Sequence, residues 1–161
     1  MEFYSANTEL KKCFGAEIKD ADYITELNKI CENAGIGYLD ATFLPHNLLL
    51  NWNDFVDAEL FGDEDTEDFD IGFRRDILFE LENNTSLKRF DEHRIFTKIL
   101  ESIDKKLVAQ TFIPKELENE KRWWNCIVFK KGTKEYINRI ENDMFNKFNL
   151  KLELKSRIEK N

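Results

Sequence analysis

Residues 123–155, WWNCIVFKKGTKEYINRIENDMFNKFNLKLELK, carry the strongest local signals in the chain and decide its expected fold class. The first seven are rich in aromatic and β-branched side chains and too uniformly apolar for a surface strand, so they predict a central strand over 123–129. Thr133 then caps a helix with apolar residues at helical spacing as far as residue 148. Residues 150–155 alternate leucine with Lys or Glu, which predicts a half-buried strand.

Upstream of this segment, the apolar residues repeat mainly at helical spacing. Asp20 or Asp22 is the expected N-cap of one helix, and Gly35 supplies its C-terminal stop. Further helix candidates lie at 8–14, 46–60, 70–81 and 91–107. Extended candidates lie at 36–44, before Pro45, and at 108–113, before Pro114.

The number and order of these elements predict an α+β fold with about five helices packed on a small sheet. The chain of 161 residues has only two prolines and six glycines, and it contains no linker rich in glycine or serine. We therefore expect residues 1–161 to form a single domain.

The most unusual composition falls in residues 52–70, WNDFVDAELFGDEDTEDFD, whose last seventeen residues include nine carboxylates. Residues 30–73 hold eleven acids and no Lys or Arg, whereas the net charge of the whole chain is −8. Such a concentration of negative charge opposes binding to nucleic acid or to an anionic membrane. It favours cations or a basic protein partner.

The acidic stretch divides into a helical part and a loop. A helix over 46–60 places Trp52 and Phe55 on its apolar face, so core packing is the expected role of both. An acidic loop is predicted over about 62–70, either as a solvated segment or as a docking surface for a basic site on another protein. In the docking alternative, the acidic contacts are Asp54, Asp57, Asp63, Asp65, Glu67 and Asp68, and the apolar contacts are Phe61 and Phe69.

A calcium site in this loop is not expected. Asp63, Asp65 and Glu67 alternate as in an EF-hand loop, but Asp68 and Arg74 stand where the EF-hand needs Gly and a bidentate Glu. The sequence also lacks the phosphate-binding, dinucleotide-binding and metalloprotease motifs. We therefore predict no metal, no cofactor and no catalytic residue.

The histidines and cysteines have ordinary expected roles. His46 and His93 are predicted to lie at the surface near the starts of two helices. Cys13, Cys31 and Cys126 are too widely spaced for a zinc motif or a dense disulfide framework, so we expect buried free thiols. Cys126 is expected within the apolar strand.

The run Arg122-Trp123-Trp124-Asn125 combines a cation with two rings that can stack on nucleic-acid bases. Since the chain as a whole repels phosphate, we expect at least one of the two tryptophans to pack in the core instead. The chain also lacks a long apolar run and a signal-peptide pattern at its amino terminus, so a cytoplasmic location is expected.

This profile, with the runs DAELFGDEDTEDFDIGF (57–73) and RWWNCIVFKKGTKEYI (122–137), resembles the immunity proteins that bacteria make beside polymorphic toxins. Immunity proteins of contact-dependent growth inhibition systems belong to this group. The resemblance implies a cytoplasmic inhibitor that binds and neutralises a cognate basic toxin domain of nuclease-like type. Phage-encoded inhibitors that mimic nucleic acid share the profile. The alternatives are a small enzyme with a carboxylate-based active site and an adaptor domain that the acidic loop keeps soluble.

Overall fold

The computed structural model describes the backbone of residues 3–35, 44–57, 68–114, 117–140 and 153–154. It describes the side chains of residues 7–35, 45–57, 74–114 and 117–139. The α-helices in this part are α1 (Phe3–Phe14), α2 (Ala21–Asn33), α3 (Leu44–Asp57), α4 (Asp68–Asn83), α5 (Asp91–Ala109) and α6 (Lys134–Ile140). The strands are β1 (Thr111–Phe112), β2 (Val128–Phe129), β3 (Lys131–Gly132) and β4 (Glu153–Leu154), and short 3-10 helices lie at Leu87–Arg89 and Trp123–Cys126.

Helix α5 lies at the centre of this arrangement. Its buried side chains recur every three or four residues, so they form one continuous face along the helix. This face packs against α3, α4 and β1, while α3 also contacts α1 and α2. Phe96, Leu100 and Ile103 on it are fully shielded from solvent, and burial of each such side chain contributes roughly 1.5–3 kcal/mol to stability. The core therefore lies mainly between helices.

The described strands form two small sheets. β1 and β2 pair antiparallel, with Thr111 opposite Phe129, and β3 and β4 pair in parallel, with Gly132 opposite Leu154. In the described part, α6 lies between β3 and β4 along the chain, so a strand–helix–strand order is present, but its first strand is Lys131–Gly132 and not the predicted 123–129. The described part is thus mainly helical with small sheets. This agrees with the predicted α+β class, although the helices pack chiefly on one another.

Local signals predicted the ends of α2 correctly. The Asp20 carboxylate accepts hydrogen bonds from the backbone N–H groups of Asp22 and Tyr23, both at 2.9 Å, which is the N-cap arrangement. Gly35 follows the helix with φ +75°, a conformation that glycine adopts without steric cost. The predicted cap and stop are both confirmed.

The predicted central strand over 123–129 is wrong. Residues Trp123–Cys126 form a 3-10 helix, and extended pairing is confined to Val128–Phe129. The buried Trp124 accounts for the difference, because its indole Nε1 donates to the Asp76 carboxylate on α4 at 2.9 Å. An apolar run without a clear period does not specify its own backbone, so this tertiary contact decides it.

The predicted acidic loop over 62–70 is wrong at its last three residues, because α4 begins at Asp68. Phe69, Phe73 and Ile77 follow one another at intervals of four residues, and this helical spacing carries the pattern of α4 back into the acidic segment. Other predicted segments lie outside the described residues: 62–67 of the loop, 36–43 of the extended candidate and 141–148 of the last helix.

Candidate functional site

The outer face of α3 carries the predicted interface residues whose side chains are described. Asp54 and Asp57 are both exposed there. Trp52 and Phe55 point inward from the same helix, where they are buried and stacked with ring centroids 5.7 Å apart. The predicted core role of both aromatic residues is confirmed, so neither ring is available to a partner.

The other predicted interface residues lie outside the described side chains. Residues 58–67 are not described. Asp68 and Phe69 belong to α4, but only their backbone is described. The roles assigned to Asp63, Asp65, Glu67, Asp68, Phe61 and Phe69 therefore stay predictions.

A lysine from α5 reaches the acidic face of α3. Lys106 Nζ donates to Asn53 Oδ1 at 2.7 Å and to the two carboxylate oxygens of Asp57 at 3.0 and 3.1 Å. Asn53 is buried, and its Nδ2 donates to Asp57 Oδ2 at 3.0 Å, which turns the amide oxygen towards the lysine. We call the group formed by Asn53 and Asp57 the ammonium site. The spacing of its two residues, i and i+4 on a helix, is visible in the sequence, but its link to Lys106 is not.

A buried ion pair lies between α3, α4 and α5. Arg75 is 3% exposed; its Nε donates to both Asp104 oxygens, and its Nη2 donates to Asp104 at 2.9 Å and to Glu82 at 3.1 Å. The Trp52 indole donates to Asp104 Oδ1 at 3.2 Å, and the Arg75 guanidinium lies 4.4 Å from the Trp124 ring centroid. We call these five residues the Arg75 network. It joins the helix that carries Asp54 and Asp57 to the centre of the fold.

The Asp104 carboxyl has the electrostatic character of a buried acid. Burial raises its pKa, and the neighbouring Arg75 guanidinium opposes that rise. Carboxyls with raised pKa values occur in acid–base active sites, but they also occur in structural ion pairs. Because Arg75 and Trp52 already donate to both of its oxygens, Asp104 fits a structural role.

The cysteines agree only in part with the prediction. Cys31 is buried, whereas Cys13 is exposed and Cys126 is partly exposed within the 3-10 helix rather than in a strand. Burial raises the pKa of the Cys31 thiol to about 11, so this thiol stays protonated near neutral pH. A protonated thiol is a poor nucleophile, which gives no support to cysteine-based catalysis at this position.

The surface positions predicted for His46 and His93 are wrong, since they are 0% and 3% exposed. The ring Nε2 of His46 lies 2.8 Å from Asn7 Oδ1 and 3.0 Å from the Ile18 carbonyl oxygen, and it donates between these two acceptors. His93 Nε2 donates to the Glu82 carbonyl oxygen at 3.2 Å, and Nδ1 lies 3.2 Å from the Tyr23 hydroxyl. Both rings therefore satisfy polar groups inside the fold.

These two histidines should make stability depend on pH. Burial lowers the pKa of each, whereas a histidine in an unfolded chain has a pKa of about 6.5. Below that pH the unfolded chain binds more protons than the folded chain. As the pH is lowered below about 6.5, the free energy of unfolding should therefore fall by up to about 1.4 kcal/mol per histidine for each pH unit. Urea unfolding from pH 7.5 to pH 5 measures the loss, and NMR titration of the ring protons separates the histidines from the carboxyls. A ring that titrates at or above its unfolded pKa would contradict the assignment.

Arg122, which precedes Trp123 and Trp124 in the chain, pairs with two acids of α4. Arg122 Nη1 lies 2.9 Å from Asp76 Oδ2, and Arg122 Nη2 donates to Glu80 Oε1 at 3.0 Å. Trp124 is buried, which confirms the expectation that at least one of the two tryptophans packs in the core. The guanidinium thus lies between two carboxylates, an environment that opposes phosphate.

Neither a protein-family model, nor a curated protein, nor a solved structure matches this chain. Among the described side chains, no group of three or more His, Cys, Asp and Glu residues is arranged to hold a metal ion. No described helix has both the length and the apolar character needed to cross a bilayer. The functional proposal therefore depends on charge, burial and contacts within the chain itself.

Proposed function

We propose that this protein is an inhibitor of the immunity type, which neutralises a basic, nuclease-like toxin domain by masking its substrate site. The docking surface is the outer face of α3 together with the acidic segment that follows it, residues 58–70. The observation that carries the proposal is the concentration of eleven acids without one Lys or Arg in residues 30–73. We take residues 1–161 as one α+β domain that acts in the cytoplasm without a cofactor or a metal.

The exposed surface supports a contact dominated by charge. Among the described residues, Val108 is the one large hydrophobic side chain that is exposed, at 43%. The rings of Trp52 and Phe55 are buried below Asp54 and Asp57, so the described part of α3 presents carboxylates rather than apolar anchors. Carboxylates grouped on one surface raise the association rate with a basic partner, and salt screens this effect.

The alternative of a carboxylate-based enzyme has less support. Burial raises the pKa of Asp104, but Arg75 and Trp52 hold its carboxylate inside the fold. The exposed acids Asp54 and Asp57 lie on a helix surface instead. Two exposed acids on a helix surface suit a docking surface better than a catalytic cleft.

If the acidic segment is neutralised, the protein should associate with its basic partner more slowly than the native protein does, and the rate should depend less on salt. The variant Asp63→Asn, Asp65→Asn, Glu67→Gln and Asp68→Asn removes four charges from the segment. At low salt it should bind the basic partner at least about tenfold more slowly than the native protein, because steering is lost. The partner is first isolated on the native protein from lysate of the source cell, and association is then measured by stopped-flow with the purified pair at low and near-physiological salt.

A matched control removes the same charge from other places. The variant Glu101→Gln, Glu118→Gln, Glu120→Gln and Glu135→Gln changes four exposed acids outside residues 30–73. It should keep an association rate close to that of the native protein. Equal slowing by both variants would mean that total charge, not this surface, governs binding. Failure to isolate any stoichiometric basic protein would overturn the proposal itself.

A further inference from the structure

We propose that the ammonium site of Asn53 and Asp57 receives a lysine side chain of the basic partner, and that Lys106 occupies this site in the free protein. The inference rests on the proposed function, because it assigns one specific contact within that docking surface. It identifies the partner group as a primary ammonium and identifies an internal residue that competes with it.

The geometry of the site fits an ammonium group. Three oxygens, Asn53 Oδ1 and the two carboxylate oxygens of Asp57, lie 2.7 to 3.1 Å from Lys106 Nζ. A lysine ammonium carries three N–H donors that rotate freely, whereas an arginine guanidinium is a rigid planar fork. The three oxygens come from consecutive turns of one helix. This arrangement suits the compact ammonium better than the fork.

A hydrogen bond within the site positions its two side chains. Asn53 is 4% exposed, and the hydrogen bond from its Nδ2 to Asp57 Oδ2 fixes the direction of both side chains. The Phe14 ring, with its centroid 5.9 Å from the ammonium nitrogen, adds a further surface that attracts cations.

The present occupant is replaceable. The side chains of Lys106 and Asp57 are 43% and 52% exposed, and an ion pair with that exposure contributes little to stability because water screens it. The contrast with Arg75 is clear, because its side chain is 4% exposed and its partners hold it inside the fold. A lysine from a partner can therefore displace Lys106 into solvent at little cost. The acidic segment that attracts such a partner follows directly after Asp57.

The inference is tested with a fluorescently labelled deca-lysine peptide and two single variants. Lys106→Met empties the site and removes one positive charge, while Lys105→Met removes the same charge from an exposed neighbour on α5. Both should tighten peptide binding through charge alone. Lys106→Met should tighten it by about a further fivefold, which corresponds to roughly 1 kcal/mol. Anisotropy titration at low salt gives the two affinities, and thermal unfolding verifies that each variant is folded.

Two further measurements make the assignment specific. Adding Asp57→Asn to Lys106→Met should remove the additional fivefold gain, and a deca-arginine peptide should show a smaller gain. In the folded Lys106→Met protein, the Asn53 side-chain amide resonances should shift on addition of deca-lysine. Equal affinities of the Lys105→Met and Lys106→Met variants, or an Asn53 amide that does not respond, would overturn the inference.

The two proposals can fail separately. If neutralising the acidic segment slows partner association but the two lysine variants bind deca-lysine equally, the ammonium site is wrong and the docking surface stands. If the lysine variants differ as expected but no basic partner exists in the source cell, the site is right as a lysine-binding site and the immunity function is wrong.

Discussion

Replacing Asp104 by alanine is expected to lower the free energy of unfolding by about 3–5 kcal/mol, the usual loss when one partner of a buried ion pair is removed. Arg75, which is 3% exposed, would retain Glu82 alone as a charged partner. The Trp52 indole would lose the acceptor at 3.2 Å that it has on Asp104. Urea unfolding at neutral pH measures the loss.

Asp76 provides a matched control, because it has the same kinds of partners in a more exposed place. It accepts a hydrogen bond from the Trp124 indole at 2.9 Å and pairs with Arg122 at 2.9 Å, but its side chain is 36% exposed against 14% for Asp104. Asp76→Ala should therefore cost only about 1 kcal/mol, since water can solvate the groups left behind. Similar losses for both variants would mean that burial of the Arg75 network is not what stabilises it.

The elements that the sequence predicts well are those that local interactions specify. The cap at Asp20, the stop at Gly35 and the helical spacing along α5 depend on neighbours within a few residues. The position of His93 was also visible, because it precedes Phe96 by three residues and Leu100 by seven on the buried face of α5. Its prediction as a surface residue gave too much weight to its polarity.

The features that the sequence did not predict depend on contacts between distant residues. Asp104 is 29 positions from Arg75, and no local pattern pairs the two. His46 reaches Asn7 across 39 positions, so its burial has no signal in the neighbouring residues. The 3-10 helix at Trp123–Cys126 has the same cause, since an apolar run of that length is compatible with several backbones until α4 supplies its acceptor.

The candidate site shows both kinds of information. The surface positions of Asp54 and Asp57 and the core positions of Trp52 and Phe55 follow from helical periodicity alone. The lysine that neutralises Asp57 comes from α5 and could be found only in the folded chain. Counting charges along the sequence therefore overstates the free negative charge of the α3 face.

Replacing Gly132 by alanine is expected to lower the free energy of unfolding by about 3 kcal/mol, the upper part of the range for overpacking a tight contact. An added Cβ would lie 2.2 Å from Cδ1 and 2.9 Å from Cγ of the Tyr136 ring, so the ring must move. Tyr136 is buried, and its hydroxyl accepts a hydrogen bond from the Phe129 N–H at 2.9 Å. Moving the ring breaks this bond and disturbs the β3–β4 pair, in which Gly132 is opposite Leu154. Urea unfolding measures the loss.

Two comparisons isolate the collision as the cause. Gly15→Ala places a Cβ in open space at φ +66°, so it should cost about 1 kcal/mol from backbone strain alone. In a Tyr136→Ala background the ring is absent, and Gly132→Ala should then be nearly neutral, a strong departure from additivity. If Gly132→Ala costs the same with and without the Tyr136 ring, the close approach of β3 to α6 is not the reason for glycine at this position. If Gly132→Ala in the native protein costs no more than Gly15→Ala, the Tyr136 ring moves aside more easily than its burial indicates.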